Sequence, residues 1–114
     1  MKLFLPICEN NLYRRMYARG KSIVTPYVVI YYSKNRTGEL RLGITTSKKI
    51  GNAVKRNRAR RVIREAFRQI SPYLRRGYDY ILVARGKTPF IKSTDVKHQL
   101  ITSLRERNLY LKED

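Results

Sequence analysis

The stretch from Lys48 to Arg68, KKIGNAVKRNRARRVIREAFR, constrains this chain more than any other, because its densest positive charge and its clearest helical periodicity fall on the same residues. From Leu40 to Arg64 there is no acidic residue, while Arg41, Lys48, Lys49, Lys55, Arg56, Arg58, Arg60, Arg61 and Arg64 are all basic. A block of like charge normally reads as solvated and disordered. The apolar spacing argues otherwise. Ala59, Val62, Ile63, Ala66, Phe67, Ile70 and Leu74 recur at the threes and fours that line one side of a helix. At about 100° per residue, Asn57, Arg60, Arg61, Arg64 and Arg68 fall on the opposite side, with Arg58 at its flank. Asn52, following Gly51, is a favoured N-cap, so the helix is predicted to begin near Ala53.

Lys55 and Arg56 break the pattern, since the same wheel puts them on the apolar side of the first turn. Two readings fit. Either that turn overhangs into solvent, or the two cations are offered to a ligand at the helix start, where backbone N–H groups and the positive dipole end favour phosphate. An ordinary solvated helix face carries mixed signs. Guanidiniums crowded on one face repel one another and call for a polyanion or salt to neutralise them.

Composition points the same way. Across 114 residues, 26 Lys and Arg against 8 Asp and Glu give a net charge of +18. Nucleic acid is the first partner this implies and an anionic membrane a distant second. The size suits one RNA-binding domain over residues 1–114 with one modest core. The lone Cys8 excludes an intrachain disulfide and reads as a small apolar residue in a reducing, cytoplasmic setting. The opening MKLFLPIC is broken by Pro6 and ended by Glu9, too short for a targeting or membrane segment.

Along the chain, Glu9 to Arg19 reads as a short helix stopped by Gly20, with Leu12 over Met16 and Tyr13 over Tyr17. The tyrosine pair serves either core packing or stacking of unpaired bases. Tyr27 to Ser33 and Glu39 to Thr46 read as strands, the second alternating Leu40, Leu42 and Ile44 against Arg41, Gly43 and Thr45. The five-residue turn between them predicts an antiparallel hairpin, and the first strand, apolar on both faces, is expected to be central. Tyr78 to Ala84 (YDYILVA) is a further strand, making strand, basic helix and strand a crossover unit. A last helix is predicted from Thr94 or Asp95, burying Val96, Leu100, Ile101 and Leu104. The sum is an α+β fold, a small mixed β-sheet packed with helices in the order α-β-β-α-β-α, with room for a short extra strand.

Hydrolysis of RNA by the chain itself would need clustered carboxylates for metal ions or a His-based acid and base. The acids are scattered except for Glu113 and Asp114 at the tail, His98 stands alone, and there is no glycine-rich phosphate loop, CxxC pair or nucleophile elbow. A binder without catalytic residues is therefore expected.

The run Ser47 to Arg68, with Arg56-Asn57-Arg58 at its core and a following Arg-Glu, resembles the signature of the bacterial ribonuclease P protein component. The likeness extends to the early helix ending in Gly, the Arg-Leu-Gly-Ile strand, the Tyr-Asp-Tyr strand, an Ala-Arg and the last amphipathic helix. The resemblance implies a protein subunit of an endonuclease in which a catalytic RNA, using Mg²⁺ held mainly by RNA, removes the 5′ leader of precursor tRNA. In the family the basic motif faces RNA near the active centre. It corresponds here to Lys49, Asn52, Lys55, Arg56, Asn57, Arg58, Arg60, Arg61 and Arg64, and Lys48 and Arg68 extend the same basic stretch. A cleft between the first helix and the sheet takes the leader, and Tyr13, Tyr17 and Tyr27 match its aromatics. Phe is common in the family where this chain has Tyr13 and Tyr17. An aromatic found along the cleft strand falls at Ile30, with Tyr31 or Tyr32 as substitutes. The resemblance further implies a left-handed crossover around the basic helix, against the usual right-handed rule, and a chain monomeric in isolation. A basic ribosomal protein and a small RNase acting alone are the competing readings.

Overall fold

The computed structural model describes residues 4–112. Five strands, β1 (Leu5–Pro6), β2 (Lys21–Val24), β3 (Val28–Lys34), β4 (Arg41–Thr45) and β5 (Tyr78–Ala84), form one mixed sheet in the order β1-β4-β5-β3-β2. Three α-helices, α1 (Asn10–Arg19), α2 (Ala53–Ile70) and α3 (Ser93–Arg105), complete the fold. No described helix is long and apolar enough to cross a membrane.

The sheet is covered on two sides by unequal layers. Val28, Ile30 and Tyr32 of β3 and Tyr80 and Leu82 of β5 join Ile63, Phe67, Leu100 and Leu104 in the main core beneath α2 and α3. On the other face, Ile81 packs with Met16 of α1 and Ile7, and Tyr13, Tyr31 and Val83 close around them. Alternation along each strand therefore sends successive side chains to different helices. β5, buried along nearly its whole length, takes the middle of the sheet.

The predicted hairpin is not formed. β3 pairs antiparallel with β5, and β4 pairs parallel with β5, so β5 lies between the two strands expected to be partners. The turn joining them crosses the start of β5 and is stitched to it: the Asn35 amide donates to the Gly77 carbonyl at 2.8 Å and the Gly77 amide to that of Glu39 at 3.2 Å. The parallel β4–α2–β5 unit is the expected crossover.

Two short strands escape the hydrophobic pattern. β2 continues from Gly20 as an edge strand antiparallel to β3. β1 is a parallel bridge to β4, in which the amides of Leu5 and Ile7 donate to the carbonyls of Leu40 and Leu42. Pro6 has no amide to offer and is tolerated because it stands on the outer edge.

Helix α2 starts where the sequence predicts, with the Asn52 side chain accepting from the Lys55 amide at 3.0 Å. Its buried residues are Ala59, Ile63, Ala66, Phe67 and Ile70. Helix α3 begins at Ser93, slightly ahead of the expected caps. Asp95 lies in its first turn, where its carboxylate accepts from the Lys92 amide at 3.3 Å.

Candidate nucleic-acid interface

Helix α2 turns its apolar stripe into the core, and this orients its arginines. Asn57, Arg58, Arg61, Arg64 and Arg68 are exposed and Arg60 is half-buried. Arg58, Arg60, Arg61 and Arg64 make no hydrogen bond or ion pair among the described residues, leaving their planar donor forks open to phosphate. Val54 lies on this face, exposed, and shares a shallow depression with Asn57, Arg60, Arg61 and Arg64.

Other members of the basic set have partners within the chain. Arg68 donates to both carboxylate oxygens of Glu65, at 2.6 and 3.0 Å, and Gln69 donates to one of them at 3.0 Å. These bonds, Arg68 first, hold the Glu65 carboxyl down at about 2. Arg56 donates to the Gly51 carbonyl at 2.8 Å, tying the turn to the helix it starts. The Lys55 ammonium lies 5.6 Å from the centre of the exposed Phe90 ring, a cation–π contact at the helix start. The two residues that break the amphipathic pattern thus brace the first turn. Lys48 and Lys49 are exposed in the short turn Lys48–Ile50 ahead of it.

The aromatic side of the site is built by α1 on the sheet. The Tyr17 ring meets the Tyr31 ring edge-on at 4.9 Å, its hydroxyl shares a 2.7 Å hydrogen bond with that of Thr45, and the ring is 40% exposed. Tyr13, 6.2 Å from Tyr17 between ring centres, lies against Gly43 of β4. Its hydroxyl donates to the Ile7 carbonyl at 3.4 Å, and burial above all raises its pKa, which Arg60 partly opposes. Tyr27 is not brought to this pair. It packs against the main core, and its carbonyl accepts from the Thr88 hydroxyl at 2.6 Å. Tyr31 stands beside Tyr17, whereas Tyr32 is buried in the main core.

The two halves meet. A cleft of about 670 Å³ is lined by Tyr13, by Leu42, Gly43 and Ile44 of β4, and by Arg60, Arg64 and Arg68 of α2. Phe4, Pro6 and Ile7 complete the lining, which therefore combines Tyr13, sheet and guanidinium; Tyr17 and Tyr31 lie beside it and not in it. Gly43 is the residue the sequence reading passes over, although an isolated Gly inside a strand is a signal for close approach.

No group of three or more His, Cys, Asp and Glu side chains is gathered to hold a metal ion among the described residues. Asp79, the one buried carboxylate among them, accepts from Arg41 at 2.6 and 2.8 Å and from Asn35 at 2.8 Å. His98 is exposed on α3, and Cys8 is exposed rather than packed as an apolar residue.

Comparison with known proteins agrees with this geometry. A family profile described as Ribonuclease P matches residues 2–107. A ribonuclease P protein component of Clostridium botulinum is 36% identical over 105 residues, covering 91% of this chain and 95% of that one. That of Thermoanaerobacter sp. is 43% identical over 81 residues, 71% of this chain and 70% of its own. The Staphylococcus aureus RNase P protein superposes with a TM-score of 0.79 at 31% identity, covering 92% of this chain and 96% of that one. The Thermotoga maritima RNase P protein gives 0.73 at 28% identity, covering 82% and 89%. With this fold, this basic helix and these relatives, the chain belongs to the bacterial ribonuclease P protein family.

Proposed function

We propose that this chain is the RNA-binding subunit of ribonuclease P and helps a catalytic RNA remove the 5′ leader from precursor tRNA in the cytoplasm. The observation that carries this reading is the shared cleft, where Tyr13 faces Arg60 and Arg64 across the floor of β4. An unpaired strand suits such a site, because aromatic faces stack on any base while guanidiniums follow the phosphates.

The chemistry is assigned to the RNA and its Mg²⁺. The protein's part is to hold the leader and to neutralise phosphate charge where two RNAs approach, which lowers the concentration of Mg²⁺ they need. Each guanidinium placed against a phosphate releases condensed counterions, so the contribution is largest when salt is low.

The test is reconstitution. Chain added to a catalytic RNA of this class is expected to restore 5′ maturation of precursor tRNA at low Mg²⁺, and nuclease-treated chain alone is expected to cleave nothing. Cleavage by the RNA-free chain, or no gain on adding it, would overturn the reading.

A further inference from the structure

The far flank of α1 carries a second concavity of about 670 Å³. Arg15 and Arg19 line it from the helix, Lys34 from the end of β3 and Arg36 from the turn that follows, with Arg41 and Asp79 also in its lining. Arg41 and Asp79 neutralise each other through a bidentate pair. The other four cations form no hydrogen bond or ion pair among the described residues. Arg15 and Arg19 are one helical turn apart, where like charges destabilise a helix, and no acidic residue lies within α1 to relieve them.

The turn that follows Lys34 and carries Arg36 is held by a set of hydrogen bonds centred on Asn35. The Asn35 side-chain amide donates to the Glu39 carbonyl and to Asp79, while its oxygen accepts from both the amide and the hydroxyl of Thr37. Its backbone amide is fixed to Gly77. The backbone positions of four open cations are thus fixed around a concave space, so that binding has only their side chains left to order.

We propose that this pocket is a second phosphate-binding site, taking the sugar-phosphate backbone of RNA on the flank of α1 opposite the tyrosine cleft. Arg15 and Arg19 grip from one side and Lys34 and Arg36 from the other. The proposal rests on the RNA-binding reading above and extends it to a surface outside the basic helix. Neighbouring residues of β4 serve both pockets, Arg41 this one and Gly43 the tyrosine cleft. A strand crossing α1 therefore meets stacking on one side and charge on the other. The backbone has two sources, the precursor leader or the catalytic RNA.

The experiment compares the double variants R15A/R19A and K34A/R36A with the unchanged chain. One arm measures binding of precursor tRNA with a long leader to the reconstituted holoenzyme, the other binding of the chain to catalytic RNA alone, each across a salt series. All four side chains are exposed, so the melting temperature is expected to hold. Each double variant is expected to weaken binding about tenfold and to flatten the salt slope by about 1.4, or about 0.7 for each single-strand phosphate left without its cation. The lysine variant R15K/R19K is expected to keep most of the slope. A loss confined to the precursor arm identifies the leader as the ligand, and a loss in the catalytic-RNA arm identifies that subunit. Unchanged slopes in both arms overturn the proposal. The α2 variant R60A/R61A/R64A, run alongside, separates this from failure of the broader reading, which falls only if that variant is silent too.

Discussion

Gly43 lies directly beneath Tyr13: a Cβ at Gly43 would stand 2.8 Å from the ring carbon that carries the Tyr13 hydroxyl. The strand could accept alanine without backbone strain, but the ring could not stay where it is. Gly43→Ala is therefore expected to push Tyr13 off the cleft floor and to weaken precursor binding about tenfold, roughly the loss of one stacked base. Titration of precursor against mature tRNA checks it, because only the precursor should be affected.

Tyr17 separates ring from hydroxyl. Tyr17→Phe keeps the edge-on contact with Tyr31 and removes only the bond to Thr45. Leader affinity is expected to stay within about twofold, since an exposed hydrogen bond contributes about 0.5 kcal/mol or less after water competes. Tyr17→Ala should cost about 1 to 3 kcal/mol on precursors and nothing on mature tRNA. Equal losses on both would remove the leader from the Tyr17 surface.

The arginines of α2 should not behave alike. Replacing Arg60, Arg61 and Arg64 with alanine is expected to lower RNA affinity and to flatten its salt dependence by about 0.7 to 0.9 for each phosphate no longer neutralised. Arg68→Ala should change the slope least, because that guanidinium is engaged by Glu65. Glu65→Gln should release it and steepen the slope. Filter binding from low to high salt distinguishes the four positions.

Glu65 also supplies a pH test. Its carboxyl is held near 2, below its ordinary value of about 4.5. The folded chain thus binds this proton less readily than the unfolded one. The contribution is fully present above about pH 4.5 and is lost as pH falls through about 2. Carboxyl NMR shifts should place the Glu65 midpoint near 2, and Arg68→Ala should move it upward.

The Arg41–Asp79 pair bridges β4 and β5 at registered positions. Asp79→Ala leaves Arg41 uncompensated at the base of a basic pocket. The expected cost is about 2 kcal/mol, less than for a fully enclosed pair because 24% of the Arg41 side chain still meets water. Urea unfolding measures it, and the same variant should loosen the turn held by Asn35.

Much of this molecule can be read from its sequence, for identifiable reasons. The α2 pattern predicts both the helix and its bearing, because Ala59, Ile63, Ala66 and Phe67 have one way to reach a core and Arg61 and Arg64 are then left outside. Strand pairing is another matter. Alternation in Arg41–Thr45 shows which side chains share a face and is silent on the neighbour, so proximity in sequence suggests a hairpin that does not form. Asp79, a charge inside an otherwise apolar strand, is the clue that Arg41 lies beside it. The family resemblance puts Tyr27 in the cleft, but Tyr27 packs on the main core and Tyr31 lies by Tyr17 instead. The basic pocket beside α1 draws on three separated stretches, and no local motif announces it.

The placement of β5 between β3 and β4 bears on how the molecule is made. Neither β3 nor β4 pairs with the other, so a nascent chain that has not yet delivered Tyr78–Ala84 has no continuous sheet on which α1 or α2 can settle. The ligand face is therefore expected to form late in synthesis, when distant segments join. Until then the arginine-rich segment is expected to leave the ribosome as positive charge without a shaped surface, which the closing strand supplies.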